Sequence, residues 1–172
     1  EYAASVIAAW AGRYIPADKV VENDIGNGVV VRETGQGKFQ AMVMAGRHRM
    51  LADEPENVGG FDSGPSPYEF LSAALGSCTV MTVRMYADHK NIPLEAVRAE
   101  ILHDKIHADD CAECAEEHAQ KGGKIDRFER KITFVGDLDD QTRAKLLEIA
   151  DKCPVHRTLE AKSLIVTREE RA

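Results

Sequence analysis

Hydrophobic and polar positions change period several times along this chain, and each change marks an element. Residues 1–15 place Val6, Ala9, Trp10 and Arg13 at helical spacing and stop at Pro16, so an amphipathic helix opens the chain. A polar stretch, 18–27, links that helix to the first strand. The β-branched run Val29-Val30-Val31 predicts this strand over 28–33. Thr34-Gly35-Gln36-Gly37 predicts a hairpin into a second strand over 38–45, where Phe39, Ala41 and Val43 alternate with polar or Met positions. Gly46 leads into a third short strand containing Arg47, His48, Arg49 and Met50, and 53–64 reads as a polar, glycine-rich loop.

The strongest helix signal covers 67–90. Ser66 suits the N-cap, Pro67 the first helical position and Glu69 the third, which together spell a capping box. Leu71, Leu75, Cys78, Thr82 and Met85 recur at steps of three and four, which predicts one inward face with Cys78 on it. Segments 94–106 and 127–135 alternate instead. Val97, Ala99 and Ile101 oppose Arg98 and Glu100, while Phe128, Ile132 and Phe134 oppose Arg127, Glu129 and Lys131. That is the pattern of an antiparallel sheet with one wet face, to which the basic group Arg127, Arg130 and Lys131 is assigned. Asp139 or Asp140 caps a helix running to Cys153, with Leu146, Leu147, Ile149 and Ala150 inward and Pro154 ending it. A closing strand is expected over 163–167. Strands, helix, strands, helix and strand, without an internal repeat, imply an α+β fold. The organisation read from this is a helix and linker over 1–27 and one domain over 28–172.

Composition narrows the function. A chain of 172 residues with net charge -7 lacks the clustered cations that phosphate backbones require, so nucleic acid is not an expected partner. No apolar run approaches membrane-spanning length. Four cysteines are too few for a secreted disulfide scaffold, so a reducing, cytoplasmic setting is expected, where disulfides that form are catalytic or sensory.

Cys78 and Cys153 stand alone and far apart in sequence. A buried cysteine is often no more than a small apolar residue. If the two thiols converge on one pocket, however, they can cycle between dithiol and disulfide. Cys78, as thiolate, would attack a peroxide O–O bond and become a sulfenic acid, and Cys153 would condense with it. A thiol on an apolar face needs a nearby cation to ionise, for which Arg32, Arg47, His48 and Arg49 are candidates. Cys153, placed near a helix C-terminus, meets a partial negative charge that suits a resolving rather than an attacking thiol.

The stretch from Pro65 to Cys78 with Thr79-Val80-Met81, together with Lys152-Cys153-Pro154-Val155, resembles the osmotically inducible protein C and organic hydroperoxide resistance superfamily over most of 28–167. The resemblance implies antiparallel sheets around two central helices in an intertwined homodimer, with active sites at the subunit interface. It implies reduction of organic hydroperoxides, with Cys78 peroxidatic, Cys153 resolving and an external dithiol as reductant. Members with strong peroxidase activity carry, ten residues before the cysteine, a Glu that holds a catalytic Arg. Tyr68 occupies that position here and Glu69 lies beside it, so Glu69 is the carboxylate candidate. The family Arg after the hairpin glycines is replaced by Lys38.

Ala52-Asp53-Glu54-Pro55, Gly64-Pro65-Ser66-Pro67-Tyr68 and Cys153-Pro154-Val155-His156-Arg157-Thr158-Leu159 are most similar to the subgroup in which such a domain follows an α/β-hydrolase domain. The opening Val6-Ile7-Ala8-Ala9-Trp10-Ala11 resembles the last helix of that hydrolase. No Gly-x-Ser-x-Gly elbow occurs, so an esterase centre is expected outside this chain. A dimerisation and small-molecule-binding module is the alternative function. Finally, His107, Cys111, Cys114 and His118 have the spacing His-x3-Cys-x2-Cys-x3-His, which suits a solvated insertion, a tetrahedral Zn²⁺ site or, as a third reading, a second redox dithiol at Cys111 and Cys114.

Overall fold

The computed structural model describes residues 28–107 and 123–170, with Ala3, Ala4, Ile7 and Trp10 as helical positions near the start. Apart from those four, the expected helix over 1–15 and linker over 18–27 lie outside the described residues. The chain forms two compact units, Glu1–Gly64 and Pro65–Ala172. The described elements are antiparallel sheets and separate helices, an α+β fold as the pattern predicted.

In the first unit, β1 (Val29–Glu33), β2 (Ala41–Ala45) and β3 (His48–Ala52) form an antiparallel meander. Val31 pairs with Val43, and Val43 with Met50, so the β-branched run opposes apolar partners. The second strand starts at Ala41 rather than at 38, because Thr34 gathers Gln40 into the turn. The Thr34 hydroxyl lies 2.7 Å from Gln40 Oε1, and the Thr34 amide donates to the Gln40 carbonyl at 3.1 Å. The loop after β3 contains a 3₁₀ turn, Glu56–Val58, and is organised by Asp53. That carboxylate is 3% exposed and accepts the amides of Glu54, Phe61 and Ser63 and the Ser63 hydroxyl. A polar loop is thus held by one buried acid whose oxygens are hydrogen-bonded, as burial of a charge demands.

The second unit is built on α1 (Pro67–Lys90), capped as predicted: the Ser66 hydroxyl accepts from the Glu69 amide and Glu69 accepts from the Ser66 amide. Asn91, in the left-handed conformation, ends it. β4 (Leu94–His107) and β5 (Lys124–Gly136) form an antiparallel pair, and α2 (Asp140–Ala150) and α3 (Pro154–Glu160) come after them. The core joins Val83 and Ala87 of α1, Leu94 of β4, Phe134 of β5, and Leu146 and Ala150 of α2. α1 comes close to β4 because Gly76 has no side chain: a Cβ there would stand 3.2 Å from Ile101 Cγ1.

Five expectations need correction. The buried stripe of α1 is Leu75, Gly76, Thr79, Val83 and Ala87, which keeps only Leu75 of the predicted set. Small residues are chosen for close packing, so the bulky Leu71 and Met85 turn outward, and Cys78 sits half-buried at the stripe's edge. On α2, Leu147 is 48% exposed rather than inward. Arg130 is not on the wet face. β5 alternates with Phe128, Arg130, Ile132 and Phe134 on the inner side. Pro154 does not end the helix that began at Asp140. It opens α3, where its missing amide costs nothing, and Cys153 becomes the N-cap of that helix. Residues 163–167 pair with no strand among the described residues, and Leu164, Ile165 and Val166 are 89%, 85% and 66% exposed. No helix among the described residues is long and apolar enough to cross a membrane.

Candidate active site

α1 presents Cys78 to the point where α2 turns into α3, and Cys153 stands at that turn. Ala150 ends α2, two residues reverse the chain, and the Cys153 amide donates to the Ala150 carbonyl at 3.3 Å. Pro154 then fixes the start of α3 so that the Val155 amide is free to point outward from the helix end. The two thiols act on each other there: Cys153 is fully buried, Cys78 partly so, and each shifts the acidity of the other.

Their surroundings drive the two pKa values apart. Burial pushes the Cys78 thiol up, but hydrogen bonds from the Cys153 thiol, the Val155 amide and the Thr82 hydroxyl together outweigh it and leave Cys78 below an ordinary thiol. Burial also pushes Cys153 up, and the bond with Cys78 adds to the rise. The amides of His156 and Val155 offset part of it. Of the two thiols, Cys78 is thus the more acidic and Cys153 the less.

Space for a small molecule lies along the helices that carry the thiols, though neither sulfur lines it. A cleft of about 410 Å³ has Leu75, one turn before Cys78, and His156, one turn after Cys153, among its lining residues, with Phe128 and Leu159 as apolar walls. A more open groove of about 460 Å³ runs past Ser77 and Gly76 to Ala99 and Ile101.

Glu69 is placed differently from the two thiols. Its carboxylate is engaged in the capping box, 2.7 Å from the Ser66 amide, and that bond holds its pKa down. Nine helical residues separate it from Cys78, about 14 Å along the axis, so the two do not meet within one copy of α1. Arg32, Arg47, His48 and Arg49 are exposed residues of the first unit. His107 is the last residue of β4, opposite Lys124, while Cys111, Cys114 and His118 lie outside the described residues. Thr82 was read as a packing residue, and it is a donor to Cys78. The Val155 amide could have been anticipated from Pro154, since a proline after a turn residue starts helices as readily as it ends them.

The chain matches the family model for OsmC-like proteins over residues 60–168, more than half its length, and it belongs to that family. No curated protein sequence matches it. Among solved structures it resembles the OsmC-like protein of Mycoplasma pneumoniae, at 13% identity over 80% of this chain and 89% of that one, with a TM-score of 0.58. It also resembles an organic hydroperoxide resistance protein, OsmC, from Legionella pneumophila (15% identity, 77% and 88% covered, TM-score 0.54). A third is the organic hydroperoxide resistance protein of Elizabethkingia anophelis, solved with thiocyanate bound (18% identity, 76% and 85% covered, TM-score 0.53). At such identities the likeness is one of fold.

Proposed function

We propose that this protein is a thiol peroxidase acting on organic hydroperoxides. The observation that carries the reading is the placement of the half-buried Cys78 of α1 beside the buried Cys153 at the start of α3, in surroundings that lower the pKa of the first thiol and raise that of the second. The Cys78 thiolate attacks the terminal peroxide oxygen. The O–O bond breaks, Cys78 becomes a sulfenic acid, and the alkoxide takes a proton to leave as an alcohol. The Cys153 sulfur then attacks the Cys78 sulfur. An S–S bond forms, the S–O bond breaks, and hydroxide departs as water with the proton from Cys153. An external dithiol, oxidised in turn, returns both thiols. The apolar lining of the open groove past Ala73, Val80, Met81 and Ile101 suits an organic rather than an inorganic peroxide.

The same reading includes a homodimer in the reducing cytoplasm. Leu164, Ile165 and Val166 leave most of their surface in water, as do Val29 and Val31 of the first unit, and a second copy is the natural cover for both. It also makes the chain the partner of an α/β-hydrolase domain, as its motif resemblance implies.

Intact mass after one equivalent of cumene hydroperoxide tests the peroxidase. Loss of two hydrogens, mapped to Cys78–Cys153, is the expected result, and Cys78→Ser abolishes peroxide consumption. Two free thiols with unconsumed peroxide overturn the reading. A second reading, a small-molecule-binding module without turnover, is favoured by Tyr68 standing where stronger family members carry Glu, and by Glu69 being held in its cap. It predicts that outcome.

A further inference from the structure

Arg130 is a charged residue on the apolar side of β5, only 14% exposed, and nothing in the peroxidase chemistry above uses it. Its cross-strand partner is Ile101, the residue that packs against Gly76 of α1, so its side chain is delivered to the sheet side of that helix. The guanidinium makes three contacts. Nη1 donates to the Thr79 hydroxyl at 3.3 Å and to the Ala150 carbonyl at 3.1 Å, and Nη2 meets Asp151 Oδ1 at 2.6 Å. Thr79 is fully buried, comes directly after Cys78, and passes its own proton to the Leu75 carbonyl at 2.8 Å. The Ala150 carbonyl is the one that accepts from the Cys153 amide. One planar fork therefore spans the neighbour of the first cysteine and the turn that carries the second.

Such a group is expensive to bury, since its desolvation must be met by well-aligned partners. Leu or Val at 130 would continue the apolar stripe of β5 at no such cost. What the guanidinium adds is direction: several donors in a rigid plane fix the relative placement of the parts they touch, which a lysine cannot do.

We propose that Arg130 is a positioning residue for the second step, holding the Cys153 turn in register with Cys78 so that the sulfenic acid is resolved before it is oxidised further. This rests on the peroxidase reading. Arg130 makes no hydrogen bond to either sulfur; it does line the 410 Å³ cleft, but Arg130→Lys keeps the positive charge there, so the first step should be little changed.

The test separates the two steps in the full chain. Rapid mixing with one equivalent of cumene hydroperoxide is followed by a dimedone quench, which reports sulfenic acid at Cys78. Non-reducing peptide mapping reports the disulfide. In Arg130→Lys, sulfenic acid forms at the parent rate, the disulfide forms at least about tenfold more slowly, and Cys78 sulfinic acid accumulates under excess peroxide. A small misplacement of reacting groups is enough for a loss of that size. Asp151→Ala and Thr79→Val, each removing one contact, reproduce the effect to a smaller degree, and Thr79→Ser restores the parent behaviour. They decide the matter if Arg130→Lys does not fold. Equal slowing of both steps, or an unchanged disulfide rate, overturns the assignment. If the parent protein forms neither adduct nor disulfide, it is the peroxidase reading that fails instead.

Discussion

The ring of Tyr68 lies flat on that of His103, with centroids 4.1 Å apart and planes 9° from parallel. Phe128 extends the stack from the other strand at 4.6 Å, and His103 Nε2 reaches Asp126 Oδ1 at 2.9 Å. Lys105 sits over Tyr68 at 5.5 Å. The first turn of α1 is thereby fastened to the β4–β5 hairpin through rings and one carboxylate. Tyr68, beside the capping Glu69, thus does structural work in this chain.

That fastening is sensitive to acid. The hydrogen bond from His103, with the charge of Lys105, holds the Asp126 carboxyl below its ordinary 3.8. A carboxylate depressed in this way stabilises the fold in full above the unfolded value, and its contribution is lost as pH falls through the lower, folded value. Asp126→Asn should therefore be less stable than the parent at neutral pH, with the gap closing toward pH 3. Urea midpoints measured across that range check this. A gap that stays constant with pH would remove the charge of Asp126 from the account.

Glu69 and Ser66 can be separated by their chemistry. Ser66→Ala removes the hydroxyl that accepts the Glu69 amide and should cost about 1 kcal/mol. Glu69→Gln keeps an oxygen for the Ser66 amide and so preserves the cap while removing the charge. Its thermal midpoint should stay near that of the parent. Peroxide consumption by this folded variant then isolates the carboxylate's part in turnover. Since Glu69 lies far from Cys78 along its own helix, any large loss of rate in this variant points to Glu69 acting on the thiol of a second copy.

Most of the fold was readable because its signals are local. The Ser-Pro-x-Glu cap located α1 to the residue, and period-two alternation located β4 and β5. The failures share one physical origin, which is that a stripe or a proline has more than one structural solution. Leu71 and Met85 had the right spacing to be core, yet the sheet accepted the smaller Gly76 and Thr79 instead. Pro154 fits a helix end and a helix start equally well, and only the turn at Asp151 and Lys152 decides between them. Arg130 was misassigned by its charge although the alternation through Phe128, Ile132 and Phe134 already put it inside. Of the site, the motifs singled out Cys78 and Cys153 as the two thiols to follow. The donors Thr82 and Val155 were not legible, since one is a packing residue by pattern and the other acts through its backbone.

Leu146 is fully buried where α2 meets α1 and the sheet, in one cluster with Val83, Leu94 and Phe134. Leu146→Ala should destabilise the second unit by about 2–5 kcal/mol, the lost burial plus the cavity left behind. Leu147→Ala, one residue on but 48% exposed, should cost far less. Chemical denaturation of the two variants side by side measures the difference. Similar losses would mean that α2 is rotated relative to its packing here.

On the proposed peroxidase reading Cys153 also acts before any disulfide forms, because the Cys153 thiol is the first of the effects that lower the Cys78 pKa. Removing it must then slow the attack on peroxide as well as prevent the disulfide. Cys153→Ala deletes the donor, so the Cys78 pKa rises, less thiolate is present at neutral pH, and sulfenic acid forms severalfold more slowly. Cys153→Ser keeps an O–H donor at the same place and should retain more of the first-step rate, although neither variant can form the bond between sulfurs. Thr82→Val, which removes another donor, should shift the rate profile toward higher pH in the same direction while leaving the disulfide intact as product. Initial rates of dimedone-trapped sulfenic acid, measured against pH, compare all three with the parent. An Ala variant that matches the parent at every pH would show that Cys78 owes its acidity to something other than its sulfur neighbour.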